Sequence, residues 1–201
     1  MDLLREKEFQ KYNRIWDSIP EYRSFSVADY FTPLFLTYFK DQIQPGDSII
    51  DFGCGTGRSA RSLLKAGLKV QLVDFCPNCL DPEIFLYTLG DPPLCYFSLE
   101  CLWDLSDSLQ PADWGICFDV LEHIPEEKME ATLHGLSLRI KKGGLLNICS
   151  MEDNFGKGIG ETLHLTVKNA PWWKEQIKQH FLSSEVILEG REFLTLAVTN
   201  G

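Results

Sequence analysis

The sequence predicts an α/β fold: a mostly parallel seven-stranded sheet with helices on both faces, closed by a C-terminal hairpin that adds an antiparallel strand. Three observations predict it. From Ser48 onward, short apolar runs of strand length alternate with helical stretches, the order that builds parallel βαβ units. One of those runs, Ile49-Ile50-Asp51-Phe52, opens directly into Gly53-Cys54-Gly55-Thr56-Gly57-Arg58, a glycine-rich turn between strand and helix. The chain finishes on two more apolar runs, Glu185–Leu188 and Phe193–Val198, joined by Glu189-Gly190-Arg191; parallel sheets tolerate an antiparallel strand of this kind at one edge.

In chain order, Leu4, Phe9, Tyr12, Ile15 and Trp16 fall at helical spacing over residues 3–18, with Pro20 as the expected stop. A second helix is expected over Val27–Gln42, before the turn Pro45-Gly46-Asp47. Ser48–Phe52 reads as a short buried strand, Arg58–Ala66 as a helix stopped by Gly67, and Lys69–Asp74 as the next strand. The stretch from Cys76 to Pro93 has no clear period, so its crossover helix is expected to be short. Leu94–Leu99 is a weak strand and Trp114–Phe118 a strong one. Pro125–Lys141 is the best helix, with Met129, Leu133, Leu136 and Ile140 on one stripe, acids first and lysines last. Gly143-Gly144 should stop it before a strand at Leu145–Ser150. A polar loop over Met151–Leu163 and a helix over Pro171–Phe181 lead into the hairpin. With no repeat and no linker, residues 1–201 read as one domain: a helical extension or lid over 1–45 and an α/β core over 46–201.

Composition narrows the function classes. The 201 residues are 44% hydrophobic and 24% charged, enough for a real core, and the net charge of −10 repels phosphate backbones, so general nucleic-acid binding is not expected. Residues 1–10 lack the apolar run of a signal peptide, and no stretch is long enough to cross a bilayer. Seven scattered cysteines then read as reduced thiols in the cytoplasm. Cys76-Pro-Asn-Cys79 has metal or redox spacing, but no second pair matches it; these are read as small apolar residues and no metal is expected.

The glycine-rich turn carries the chemistry. Glycines let a ligand lie against bare backbone, and open α/β sheets bind ligands beyond the carboxyl ends of their strands. Asp74 ends the next strand, about 20 residues after the first glycine, where an acid can take ribose hydroxyls. The glycines run G-x-G-x-G, not the dinucleotide G-x-G-x-x-G, and no G-K-[ST] marks a phosphate loop. Asp51, two residues before the first glycine, suits a cationic ligand and would repel a pyrophosphate.

Asp51-Phe-Gly-Cys-Gly-Thr-Gly57 resembles the first signature of the class I S-adenosylmethionine-dependent methyltransferases, which have a Rossmann-like sheet, and Val73-Asp74 resembles the second. Asp113-Trp-Gly-Ile-Cys-Phe-Asp-Val-Leu-Glu-His-Ile-Pro125 resembles the fourth-strand signature of small-molecule members, and Lys142-Gly-Gly-Leu-Leu146 the turn into strand five. The resemblance implies S-adenosyl-L-methionine as cofactor. It places Gly53, Cys54, Gly55 and Gly57 along the methionine part with Asp51 near its amino group. Asp74, followed by Phe75, would hold the ribose. Glu100 would receive the adenine amino group, with Cys101 donating its backbone N–H and Asp104 as the rival acid. Asp119 would face the sulfonium. Apart from the resemblance, Tyr12, Trp16, Tyr22 and Arg23 read as a lid over the cofactor, with Arg23 gripping its carboxylate; a helix packing its apolar stripe on the core is the alternative, and the two readings can both hold.

The implied activity is methyl transfer to an unidentified, small-molecule acceptor at O, N or C. Without an N-P-P-[YF] tetrad after strand four, amino-methylation of nucleobases or glutamine is not expected. No catalytic residue stands out. His123, in Glu122-His123, and His164, near the expected substrate mouth, are candidates for a base or substrate contact; shaping a loop and packing inward are the alternatives. Trp172 and Trp173 are read as anchors of their helix, with stacking on an aromatic substrate the alternative. The rival readings are a non-catalytic cofactor-binding partner subunit and a nicotinamide-dependent oxidoreductase. The residues do not fix an oligomeric state.

Overall fold

A computed structural model describes residues 3–200; the outer residues of the expected single domain, 1, 2 and 201, lie outside that range. Three helices come first: α1 (Leu3–Ser18), α2 (Pro20–Ser24) and α3 (Ala28–Tyr38). Then follow β1 (Ser48–Phe52), α4 (Ser59–Lys65), β2 (Lys69–Asp74), α5 (Pro82–Tyr87), β3 (Cys95–Leu99) and β4 (Ala112–Phe118). The chain ends with α6 (Met129–Arg139), β5 (Ile140–Cys149), α7 (Ala170–Lys178), β6 (Ser183–Glu189) and β7 (Phe193–Thr199). All seven strands form one sheet in the order β3-β2-β1-β4-β5-β7-β6. β3, β2, β1, β4 and β5 pair in parallel, and β7 runs antiparallel between β5 and β6. The strand order reverses between β1 and β4, which opens the ligand crevice of such sheets at their carboxyl ends.

Adjacent residues of a strand buried on both sides feed opposite faces. Ile49 and Leu72 join a core with Leu63 of α4 and with Phe35 and Phe39 of the N-terminal region. Ile50 and Val73 join the opposite core with Leu133 and Leu136 of α6 and Trp173 and Ile177 of α7. Trp173 is fully buried there, so it anchors its helix as expected. Phe35 and Phe39 stack on Trp114 of β4 at ring-centroid distances of 5.9 and 4.9 Å. The first 45 residues therefore do two jobs: α3 completes the sheet's covering, while α1 and α2 stand over the strand ends.

Three local readings differ from expectation. Pro20 does not only stop a helix; it occupies the first turn of α2, where its missing N–H costs nothing. The helix expected from Pro125 begins at Met129 after two single turns at Leu121–His123 and Glu126–Lys128. Gly143 and Gly144 lie inside β5 rather than ahead of it. Tight pairing with β4 explains this: a Cβ on Gly144 would sit 2.1 Å from the carbonyl oxygen of Gly115. Among the described residues no helix is long and apolar enough to cross a membrane, and none of the seven cysteines is in a disulfide.

Gly144→Ala is expected to lower stability by about 1–3 kcal/mol or more, because the clash is with backbone that cannot turn aside. The measurement is the urea midpoint at unchanged slope; an unshifted midpoint would show that β4 and β5 separate freely.

Candidate active site

The loop after β1 is tied to the end of β2. Gly53 and Cys54 donate their N–H groups to the Val73 carbonyl at 2.8 and 2.9 Å, and Gly55 N–H donates to Asp74 Oδ2 at 2.8 Å. Asp74 Oδ1 accepts from the N–H groups of Phe75 (2.7 Å) and Cys76 (3.0 Å). Gly53, Gly55 and Gly57 have φ of +73°, +50° and +71°, a region that favours glycine. The three are not equivalent. A Cβ on Gly57 would meet Ile84 at 2.7 Å and Leu80 at 2.9 Å, so this glycine serves packing on α5. Gly53 and Gly55 line the space above the loop, where a Cβ would meet Val120 at 2.5 Å and the Trp16 ring at 3.3 Å.

That space has two parts over the carboxyl ends of β1, β2 and β4. A narrow cavity of about 110 Å³ lies among Phe75, Leu102, Trp103 and Ile124, with Asp74 at its edge. A wider one of about 350 Å³ holds Asp51, Cys54, Phe118 and His164, with Phe25 and Phe155 at its margin. Trp16, Tyr22, Gly53, Gly55, Asp119 and His123 border both, so the two are halves of one cleft. α1 roofs it: a Cβ on Gly55 would lie 3.3 Å from the Trp16 ring. Lys11 fixes that helix to the loop after β5 by donating to the Thr162 carbonyl at 2.9 Å.

The cleft is rich in desolvated acid. Burial raises the Asp51 carboxyl to about 7, against the opposing donation of the Ser59 hydroxyl. Burial raises Asp119 to about 6, opposed by the Asn147 amide and by His164. Asp119 also holds a left-handed φ of +52°, a conformation that favours Asn and Asp among side-chain-bearing residues. Glu122, with no exposed surface, is raised well above the usual range by burial and then by Asp119. Asp74 is raised by burial too, against its three backbone donors. Among the described residues no Lys or Arg lines either cavity.

Of the expected residues, the structure brings Asp51, Gly53, Cys54, Gly55, Asp74, Phe75, Asp119, His123 and His164 to the cleft. It places Arg23, Gly57, Glu100, Cys101 and the rival Asp104 elsewhere, Gly57 in the packing against α5 described above. Arg23 does not line the cleft; its guanidinium donates to the carbonyls of Trp16, Cys79 and Asn78 and covers the Trp16 ring. Glu100 turns to Ser106, accepting from its N–H and hydroxyl at 3.1 and 2.9 Å, and the rival Asp104 pairs with Arg5. Cys101 is buried in a bridge with Asp104. Leu102 and Trp103, which sequence reasoning missed, line the narrow cavity from this segment. The available signal was a bulky apolar pair in an otherwise polar stretch after β3.

His123 is fixed rather than free. Its Nδ1 lies 2.7 Å from the Tyr12 hydroxyl and 3.2 Å from the Leu163 carbonyl. Burial lowers its pKa to about 3, so it suits hydrogen bonding more than proton uptake near neutral pH. His164 meets it edge to face at 4.6 Å. The segment Leu163–Val167 is not a strand: Leu165 and Thr166 both donate N–H to the Glu122 carbonyl.

A family model described as "Methyltransferase domain" matches residues 22–187. Among curated proteins, the chain is 38% identical over 160 residues to a ribosomal protein L11 methyltransferase of Nitrosomonas europaea, covering 70% of this chain and 48% of that protein. It is 25% identical over 141 residues to a ubiquinone biosynthesis O-methyltransferase of Xanthomonas axonopodis pv. citri, covering 69% and 56%. The chain thus spans about half the length of the curated relatives it matches. Among solved structures, it aligns with a TM-score of 0.68 and 16% identity to the 1,6-didemethyltoxoflavin-N1-methyltransferase of Burkholderia thailandensis, over 98% of this chain and 87% of that one.

The raised carboxyls generate a prediction. With Asp51 near 7 in the fold and at 3.8 as a free side chain, the folded state holds a proton the unfolded state lacks between those values. The contribution to stability is present below the lower value and lost as pH rises through the higher one. Buried neutral His123 works in the opposite sense at acid pH, so the comparison is between variants. Relative to wild type, Asp51→Asn should gain thermal stability progressively from pH 5.5 to 8, read by melting temperature. A difference that does not vary with pH would show that Asp51 is ionised throughout.

Proposed function

This chain belongs to the methyltransferase-domain family and has the class I S-adenosylmethionine-dependent fold, and we propose that it transfers the cofactor's methyl group to a small-molecule acceptor. The observation that carries the reading is the cleft itself: a flat apolar slot with a carboxylate at its edge, bare glycine backbone in the middle, and a wider bowl ringed by acids. The donor set fits the cofactor. An adenine ring suits the slot among Phe75, Leu102 and Trp103, ribose hydroxyls suit Asp74, and an ammonium and a sulfonium suit Asp51 and Asp119. When bound, the cofactor supplies an activated methyl group. The protein's own part is to hold the acceptor at near-attack distance, about 3–3.5 Å, and to exclude water.

Within this reading the wide cavity holds the acceptor, and α1, α2 and the loop over 151–163 form its cover. The two relatives are named for different roles, one for methylation of a ribosomal protein and the other for ubiquinone biosynthesis. A roofed cavity of about 350 Å³ favours the small molecule, which such pockets enclose. The net charge of −10 argues against a nucleic-acid acceptor. Seven cysteines outside any disulfide suit a reducing compartment, the cytoplasm. Arg23 acts in this picture as a positioning residue that clamps α2 to the Asn78–Leu80 segment.

Asp74→Ala should weaken S-adenosylmethionine binding about tenfold or more, the value of charge-assisted hydrogen bonds, with the far-ultraviolet spectrum retained. Isothermal calorimetry reads it, and unchanged affinity would remove the ribose assignment. Gly55→Val should abolish binding, since its Cβ already meets Trp16 and the backbone φ is positive. Formation of S-adenosylhomocysteine during turnover separates an enzyme from a cofactor-binding partner subunit.

The acids also set a pH dependence. A cationic ligand favours ionised Asp51 and Asp119, raised to about 7 and about 6. Affinity for S-adenosylmethionine should therefore rise between pH 5.5 and 7 and level off above it. Calorimetry at a series of pH values checks this; a flat or falling profile over that range would place the cationic groups away from both acids.

A further inference from the structure

Glu122, Cys149 and His164 stand together, with His164 on the wall of the wide cavity and the other two behind it, and the reaction assigned above does not use their chemistry. Their ligand atoms, a carboxylate oxygen, a thiol sulfur and a ring nitrogen, all lie within 4.8 Å of one another. Glu122 is fully buried. Its Oε1 accepts the Cys149 N–H at 3.0 Å, but its Oε2 has no hydrogen-bond partner. A buried carboxylate oxygen with nothing to bind is costly unless a cation or a donor meets it.

The surroundings hold the three side chains in place. The Glu122 carbonyl accepts the N–H groups of Leu165 and Thr166 at 2.8 and 2.9 Å, and the Thr166 hydroxyl donates to the Ile124 carbonyl at 2.7 Å. The segment carrying His164 is thus pinned to the turn carrying Glu122. His164 Nδ1 lies 2.5 Å from the Met151 carbonyl oxygen. A carbonyl only accepts, so Nδ1 carries the proton and Nε2 presents its lone pair, the tautomer that second-shell bonds impose on metal-binding histidines.

We propose that Glu122, Cys149 and His164 form a binding site for a divalent cation of zinc's type, which holds a hydroxyl group of the acceptor in the wide cavity. Oxygen, sulfur and nitrogen donors from three residues match a zinc site that keeps one position open, and His164 borders the cavity where that position would be reached. The acceptor part of the proposal rests on the methyltransferase reading. With no Lys or Arg lining the cavity among the described residues, a cation bound there would supply the positive charge that favours loss of the hydroxyl proton. The proton leaves to bulk water. The oxygen pair forms the new bond to the methyl carbon, and the carbon–sulfur bond breaks with its electrons returning to sulfur, which ends as a neutral thioether. A second cluster, Cys54, Asp74 and Cys79, has comparable spacing, but Asp74 already accepts three backbone N–H groups there.

The test is zinc alone, titrated into the reduced full chain against a chromogenic chelator, without cofactor. One equivalent should bind, and Glu122→Gln and His164→Ala should each weaken it at least tenfold to about a hundredfold, the range that even outer partners of a ligand command. Cys79→Ala should leave it bound. His164 is partly exposed, so its variant tests the site even if Glu122→Gln fails to fold. Absence of zinc binding in wild type, retention in both the Glu122 and His164 variants, or loss in Cys79→Ala alone would each overturn the site. Cofactor binding is measured separately by calorimetry, so failure of the metal site and failure of the methyltransferase reading are distinguishable.

Discussion

The cleft depends on one tie, the hydrogen bond from Gly55 N–H to the Asp74 carboxylate. It joins the loop after β1 to the end of β2 at the place where the sheet's connections diverge. Two further bonds, from Gly53 and Cys54 to the Val73 carbonyl, make the junction rigid. The loop can follow this path because Gly53 and Gly55 take positive φ and carry no Cβ, which would collide with Val120 at the first and press on the Trp16 ring at the second. Everything that borders the cleft is placed relative to this junction: Asp51 below it, Phe75 beside it and Trp16 above it.

Electrostatics set the second constraint. Three buried acids, Asp51, Asp74 and Glu122, and the half-buried Asp119 lie around the cleft, and among the described residues no Lys or Arg lines it. Such an arrangement works against the stability of the empty fold, because each carboxyl must lose hydration or hold a proton. Asp119 adds a backbone conformation that most residues avoid. Groups held this way are poised to receive positive charge, which fits a pocket whose ligand carries it.

Much of this was legible in the sequence. β1 and β2 lie where their apolar runs and flanking glycines placed them, and Asp51, Gly53, Gly55, Asp74 and Asp119 reach the cleft because strand ends fix them. What the sequence did not yield depends on contacts between distant segments. Gly143-Gly144 looks like a helix stop locally, and only the closeness of the Gly115 carbonyl shows that it belongs in a strand. Glu100 and Arg23 have the charge expected of cofactor contacts, but Glu100 meets Ser106 in an irregular segment, and Arg23 meets backbone carbonyls of Trp16, Asn78 and Cys79, which no side-chain pattern reveals. Glu122, Cys149 and His164 come together through three separate connections, and no spacing rule links them.

The Lys11 to Thr162 bond gives the cleft's cover a particular character. It couples α1, which bears the Trp16 and Tyr12 side of the roof, to the segment that leads into His164. Tyr12 strengthens the link by meeting His123, itself bonded to Leu163. The two halves of the cleft therefore do not have independent doors. Lifting α1 from the strand ends would break the Lys11 and Tyr12 bonds together and uncover slot and bowl at once.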